Sequence, residues 1–132
     1  MIYNQYQIIE PVSWEKEKEY YFTFQIDDNT IPYNVTLEIR NNNLYLYQNL
    51  WIFYSEEQPV GPLLRDTMEC MLADEYGKWR GDGISLFQSG FQVRANYMFP
   101  IKGQYTFSFR HGMRDDNLRG IQEIGLRIDQ AN

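Results

Sequence analysis

Tyr33-Asn-Val-Thr-Leu-Glu-Ile-Arg40, Asn41-Asn-Asn43 and Leu44-Tyr-Leu-Tyr-Gln-Asn-Leu-Trp-Ile-Phe-Tyr54 follow one another, and their reading decides the fold class. In the first segment Tyr33, Val35, Leu37 and Ile39 alternate with Asn34, Thr36, Glu38 and Arg40. A period of two is the signature of a strand with one face buried and one wet. The three asparagines suit a turn, because Asn tolerates positive φ. Leu44–Tyr54 is apolar or aromatic almost throughout, except at Gln48 and Asn49. Such a run predicts a strand covered on both faces, with a bulge or break at the polar pair. The whole stretch reads as a β-hairpin in the middle of the fold.

Working outward, Tyr20–Ile26 alternates cleanly, with Tyr20, Phe22, Phe24 and Ile26 inward, and Asp27-Asp-Asn29 closes it. Tyr3–Ile9 is a short first strand ended by Pro11, and Trp14 begins a polar Glu- and Lys-rich connection. Downstream, the prolines and glycine of Ser55–Pro62 mark a loop. Leu64–Leu72 reads as a strand, Ala73–Gly83 as a long structured loop, and Ile84–Gln88 as a short element of unassigned type. Phe91–Phe99 places Phe91, Val93, Ala95, Tyr97 and Phe99 on one face and Gln92, Arg94 and Asn96 on the other. Tyr105, Phe107 and Phe109 follow a turn, and Gly103-Gln-Tyr-Thr-Phe107 resembles the tyrosine-bearing corner of many β-sandwiches. His111–Arg119 is a polar connection with room for one helical turn, and Ile121–Ile128 closes the chain with Ile124, Leu126 and Ile128 inward. Seven or eight strands without a sustained helical period predict an all-β fold: a two-sheet antiparallel β-sandwich, jelly-roll-like in order. A closed eight-stranded barrel is the alternative. The 132 residues read as a single β-sandwich domain.

Composition narrows the function. Aromatics make up 17% of the chain, with 11 Tyr and 8 Phe, and aromatics favour strands. A net charge of −6 with scattered cations argues against nucleic acid and against anionic membrane surfaces, both of which need clustered Lys or Arg. Cys70 and His111 are each the only residue of their type, so neither a disulfide within the chain nor a multi-His or multi-Cys metal site is expected. Cys70, in register with Met68 and Leu72, reads as a buried, inert thiol. No apolar run reaches the ~20 residues of a membrane-spanning helix.

The Asp74–Gly83 loop is the first place to look for a site. Gly77, Gly81 and Gly83 permit tight turns, and Tyr76 and Trp79 offer flat faces beside Arg80 and Asp82, a combination suited to sugar stacking or a protein hot spot. The bland alternative is that Trp79 plugs the end of the sandwich. Arg114 and Arg119 flank Asp115-Asp-Asn117, which has close oxygen donors but lacks the full pattern of a calcium loop and reads as a solvated turn. Glu38, Glu69, Asp74 and Asp82 could supply paired carboxylates for glycoside hydrolysis, but nothing in the sequence sets their separation. There is no phosphate loop and no nucleophile elbow. A non-enzyme without cofactor or metal is the expectation.

Several patches, taken together, resemble the GldH-type gliding-motility lipoproteins. They are Ile39-Arg-Asn-Asn42, Tyr47-Gln-Asn-Leu-Trp51, Leu72-Ala-Asp-Glu-Tyr-Gly-Lys-Trp-Arg-Gly81, Phe99-Pro-Ile-Lys-Gly-Gln-Tyr-Thr-Phe107, Gly112-Met-Arg114 and Leu118-Arg-Gly-Ile-Gln-Glu-Ile-Gly-Leu-Arg-Ile128. The resemblance implies a non-enzymatic lipoprotein of the cell envelope, facing the periplasm and associated with motility and secretion. Its implied partners are envelope proteins. Members of that family carry a signal peptide and a lipidated N-terminal cysteine, so the expectation is a sequence that starts after a removed leader, with Tyr3 near the mature start. Membrane attachment is then expected only through that lipid. The resemblance also marks Asp66-Thr-Met68 as a site for O-glycosylation at Thr67. The second functional reading is a carbohydrate-binding sandwich using Trp79, Tyr76 or exposed Tyr21 and Tyr47.

Overall fold

A computed structural model describes residues 2–9 and 13–131; Pro11, read as the end of the first strand, lies outside them. Among the described residues the chain forms ten strands and no helix: β1 (Tyr3–Ile8), β2 (Ser13–Glu15), β3 (Tyr20–Ile26), β4 (Tyr33–Asn42), β5 (Asn49–Glu57), β6 (Leu64–Met71), β7 (Leu86–Tyr97), β8 (Gly103–His111), β9 (Asn117–Arg119) and β10 (Ile121–Gln130). Every pairing between them is antiparallel. One sheet has the order β1-β10-β4-β7 and the other β3-β8-β5-β6, with β2-β9 as a short ribbon. Setting β2 and β9 aside, the chain changes sheets at every step except β5 to β6. That is the order of a jelly roll, and its four edge strands exclude the closed barrel.

The alternating sequences build the core as expected. In β3 the buried and exposed positions alternate without exception. The two inner faces differ in kind. The first sheet contributes aliphatic Val35, Leu37, Ile39, Ile124, Leu126 and Ile128, and the second contributes Phe22, Phe24, Tyr54, Tyr105, Phe107 and Phe109. Within the second layer Phe107 and Phe109 stack at 6.2 Å, and Tyr54 stacks on both. Offset stacking of this kind adds attraction to area burial. Tyr105 closes the corner that its sequence context suggests: its hydroxyl donates to the Ile101 carbonyl at 2.7 Å. Cys70 is fully buried, and burial pushes its thiol up to about 12.

The Tyr33–Tyr54 hairpin is not formed. β4 pairs with β10 and β7, whereas β5 lies in the other sheet between β8 and β6. Residues 43–48 are the crossover between them. Asn42 starts it, its side-chain oxygen accepting from the Leu44 N–H at 2.8 Å. Tyr45 is the plug, 4% exposed, with its hydroxyl donating to the Asn49 carbonyl at 2.6 Å. Leu44 and Leu46, on either side, face solvent. The apolar run is therefore no doubly covered strand. β5 starts at Asn49 and alternates, burying Leu50, Ile52 and Tyr54 and leaving Trp51 outside.

Three further readings are corrected. The short element at Ile84–Gln88 is the start of β7, which runs from Leu86. Trp14 and Leu118, read as lying in polar connections, are buried and register with each other in the β2-β9 ribbon. In β7 the alternation breaks. Val35 registers with Arg94 but Thr36 with Gln92, so Val93 is an inserted residue, and the Tyr33–Tyr97 pairing marks a second insertion. Asn96 absorbs that second bulge at φ 49°, its N–H donating to Asn34 Oδ1 at 3.0 Å. The phase shift turns Arg94 in and Ala95 out, the reverse of the sequence reading. Arg94 then reaches across to the facing sheet, 2.9 Å from the Tyr54 hydroxyl and 3.0 Å from the Glu56 carboxylate.

Candidate functional site

The loop after β6 is built around Asp74. Its carboxylate accepts from the N–H groups of Tyr76 and Lys78, both at 2.9 Å, and its carbonyl accepts from Gly77 at 3.0 Å. This lifts Tyr76 to the tip, where it is 87% exposed. Trp79 is folded back instead. Its indole N–H donates to Asn43 Oδ1 at 3.0 Å, and its ring packs against Tyr45 and Phe87. The ring that looked best for recognition is thus partly buried, and its one polar group is committed to Asn43. Arg80 and Asp82 are exposed, and their backbones tie the loop to Leu72 and Gln88. Tyr76, Trp79, Arg80 and Asp82 share a loop, with Trp79 turned inward and the other three exposed.

Arg114 belongs to a different feature. It borders a cavity of about 290 Å³ with Tyr47, Asn49, Trp51, Met113 and Asp115. The Tyr47 hydroxyl donates to Asp115 Oδ1 at 2.8 Å, and that bond holds the hydroxyl's pKa above its ordinary range. Asn49 donates to Glu69 at 2.7 Å, and the Trp51 N–H points at the Met113 sulfur at 3.3 Å. Beneath the cavity His111 pins the loop: Nδ1 accepts from the Met113 N–H at 3.1 Å while Nε2 lies 3.1 Å from the Trp14 carbonyl. Burial lowers the His111 pKa and keeps the ring neutral. Arg119 sits apart on β9, exposed and opposite Ser13.

The two loops share one end of the sandwich with the 43–48 crossover. The Leu72 and Ala73 N–H groups both donate to the Gln48 carbonyl, and Tyr45 touches both Trp79 and Tyr47. The surface there carries Leu44 at 54%, Leu46 at 78%, Tyr47 at 37% and Trp51 at 40% exposure. Trp51 and Met113 were not read as site residues. The clue to Trp51 was available, since Leu50, Ile52 and Tyr54 in phase put it on the opposite face. Met113 had no local signal, because only the packing of two separate strands brings it to Trp51.

Thr67 is exposed on β6, an edge strand, and its N–H donates to Asp66 Oδ1 at 2.8 Å. Among the described residues no three His, Cys, Asp or Glu side chains are grouped so as to hold a metal ion. No helix there is long and apolar enough to cross a membrane.

A family model described as GldH lipoprotein matches residues 1–128. A protein of Christiangramia forsetii named as a gliding motility lipoprotein GldH homolog is 30% identical, over 99% of this chain and 85% of its own length. The gliding motility lipoprotein GldH of Flavobacterium johnsoniae is 28% identical, over 91% of this chain and 79% of its own. No solved structure matches the chain.

Proposed function

Because the chain belongs to the GldH lipoprotein family, we propose that it is the docking module of a motility-associated cell-envelope lipoprotein, non-enzymatic and facing the periplasm. Its partner is another envelope protein, seated on the end formed by the 43–48 crossover and the Gly112–Asp115 loop. The observation that carries this is a shelf of exposed Trp51 and Tyr47 on the Arg114 cavity, with exposed Leu44 and Leu46 in the adjoining crossover. Trp, Tyr and Arg around a small cavity are the usual composition of an interface hot spot. The shelf is also held in place, by the buried Tyr45 below it and by Asp115 on Tyr47, so little ordering entropy is lost on binding.

The register adds an orientation. Tyr3 pairs with Ile128, which pairs with Val35 near the start of β4, whereas the crossover leaves from Asn42 at its other end. An N-terminal lipid would therefore hold the shelf roughly 23 Å along the strands from the attached end, since strands rise about 3.3 Å per residue between Val35 and Asn42. The test places a photo-crosslinking residue at Leu46 or, as control, at Gln92 in the full-length lipidated protein in a gliding relative. A discrete envelope-protein adduct from position 46, absent from position 92 and lost with Trp51→Ala, is the expected result. Gliding should fail with Trp51→Ala at normal protein level, the affinity falling tenfold or more as for a hot-spot aromatic. Equal adducts from both positions, or normal gliding of the variant, would refute the reading.

A further inference from the structure

The outer faces of the two sheets are built differently. On the first sheet the charges neutralise one another. Arg40 lies over the Tyr6 ring at 4.1 Å and pairs with Glu123 at 3.2 Å, and Arg127 pairs with Asp129 at 2.7 Å and Glu38 at 3.8 Å. On the second sheet an open trough of about 770 Å³ lies across the middle strands, within the range of ligand-holding clefts.

The register explains the trough. Tyr21 of β3, Ser108 of β8, Ser55 of β5 and Arg65 of β6 form one row across the sheet. The two serines are the smallest side chains in that row and make its floor, joined hydroxyl to hydroxyl. The next row repeats the motif, with Thr23 and Thr106 bonded at 2.9 Å. The walls are large and held. Tyr21 is 57% exposed with its hydroxyl donating to Glu19 at 2.7 Å, and Arg110 lies over Phe53 at 4.6 Å, 3.6 Å from Glu17. The Arg65 guanidinium has no ion pair or hydrogen bond among the described residues, and the side chain is exposed at the rim.

The chemistry selects the ligand. An apolar segment would bury the floor hydroxyls against nothing that replaces water. An added peptide strand needs a free sheet edge, and this is a face. A polyanion meets Glu19, Glu57 and Asp66 around the same trough as Arg65 and Arg110. Paired hydroxyls, each able to donate and accept, with a flat phenol at one side and a free guanidinium at the other, match a neutral chain of hydroxyl groups. We propose that this trough is a second binding site, separate from the loop end, for a neutral oligosaccharide lying across the strands along the row of serines, with one ring stacked on Tyr21.

The test uses the whole chain on an array of neutral and acidic glycans, followed by calorimetric titration of the best neutral hexasaccharide. Saturable binding to neutral glycans should weaken at least tenfold with Tyr21→Ala and with Arg65→Ala, both solvent-exposed changes that leave the core intact. Ser108→Leu should abolish it by filling the floor, and Gln92→Ala on the other sheet should leave it unchanged. Absence of saturable binding to any neutral glycan would overturn the proposal. So would a preference for acidic glycans, binding that survives Tyr21→Ala and Arg65→Ala together, or a loss confined to Trp51→Ala. The last would place the sugar at the loop end instead.

Discussion

His111 carries no charge in the fold because both ring nitrogens are already assigned. The Met113 N–H donates to Nδ1, so the ring proton sits on Nε2, directed at the Trp14 carbonyl. A second proton would go onto Nδ1, against a donor and in a buried place. The folded pKa therefore lies below the ordinary 6.5, and the unfolded chain takes up the proton first. His111 thus contributes stability that is complete above pH 6.5 and is lost as pH falls through the folded value. The slope reaches about 1.4 kcal/mol per pH unit at most. Thermal melts from pH 8 to pH 5 should show this fall, and His111→Gln should flatten it. Arg94 poses the opposite case. Burial raises the pKa of Glu56, 1% exposed, and Arg94 pulls it back. Arg94→Met should cost about 3 kcal/mol near neutral pH, the usual penalty for orphaning a buried charge. With Glu56 raised, its protonated form is favoured in the fold, so stability returns as pH drops. Chemical denaturation at pH 7.5 and pH 5 should show a smaller deficit at pH 5.

At the scale of elements, two local conformations set the geometry. Asn96 holds positive φ at the second bulge of β7, and that bulge helps set which way the strand's side chains face. Asn96→Gly should fall within about 0.5 kcal/mol of the parent, whereas Asn96→Val should cost about 1–3 kcal/mol, because a β-branched residue is strained there. Urea midpoints would separate the two. The second is Gly120, at φ 99°, where an added Cβ would lie 2.3 Å from the Tyr45 nitrogen. Gly120→Ala should unseat the Tyr45 plug, lowering near-ultraviolet ellipticity and costing about 2 kcal/mol or more through backbone strain and lost packing. The same element accounts for a misreading. Asn41-Asn-Asn43 looks like a hairpin turn, yet Asn42 starts a crossover, because Gly120 and the space under Tyr45 come from the far end of the chain.

For the whole molecule, the relevant variable is which end faces away from the N-terminus. A fluorophore at Leu46, on protein tethered to vesicles at its N-terminus, should resist a quencher carried in the lipid. One at Lys102, in the Pro100–Lys102 turn before β8 at the opposite end, should be quenched. Equal quenching would remove the orientation argument. The sequence by itself determined the all-β class, the inward faces of β3, β4, β8 and β10, and the Tyr105 corner. Each of these depends on a side chain's own strand period and on local hydrogen bonds, which neighbours in sequence decide. Only the tertiary structure decided which strands became partners, that Trp79 was bound by Asn43 while Trp51 stood free, and that Arg94 turned to Glu56. Those outcomes depend on groups as far apart as Tyr3 and Ile128, nearly the whole chain, and on bulges that invert a strand's phase without any change in its pattern of residues.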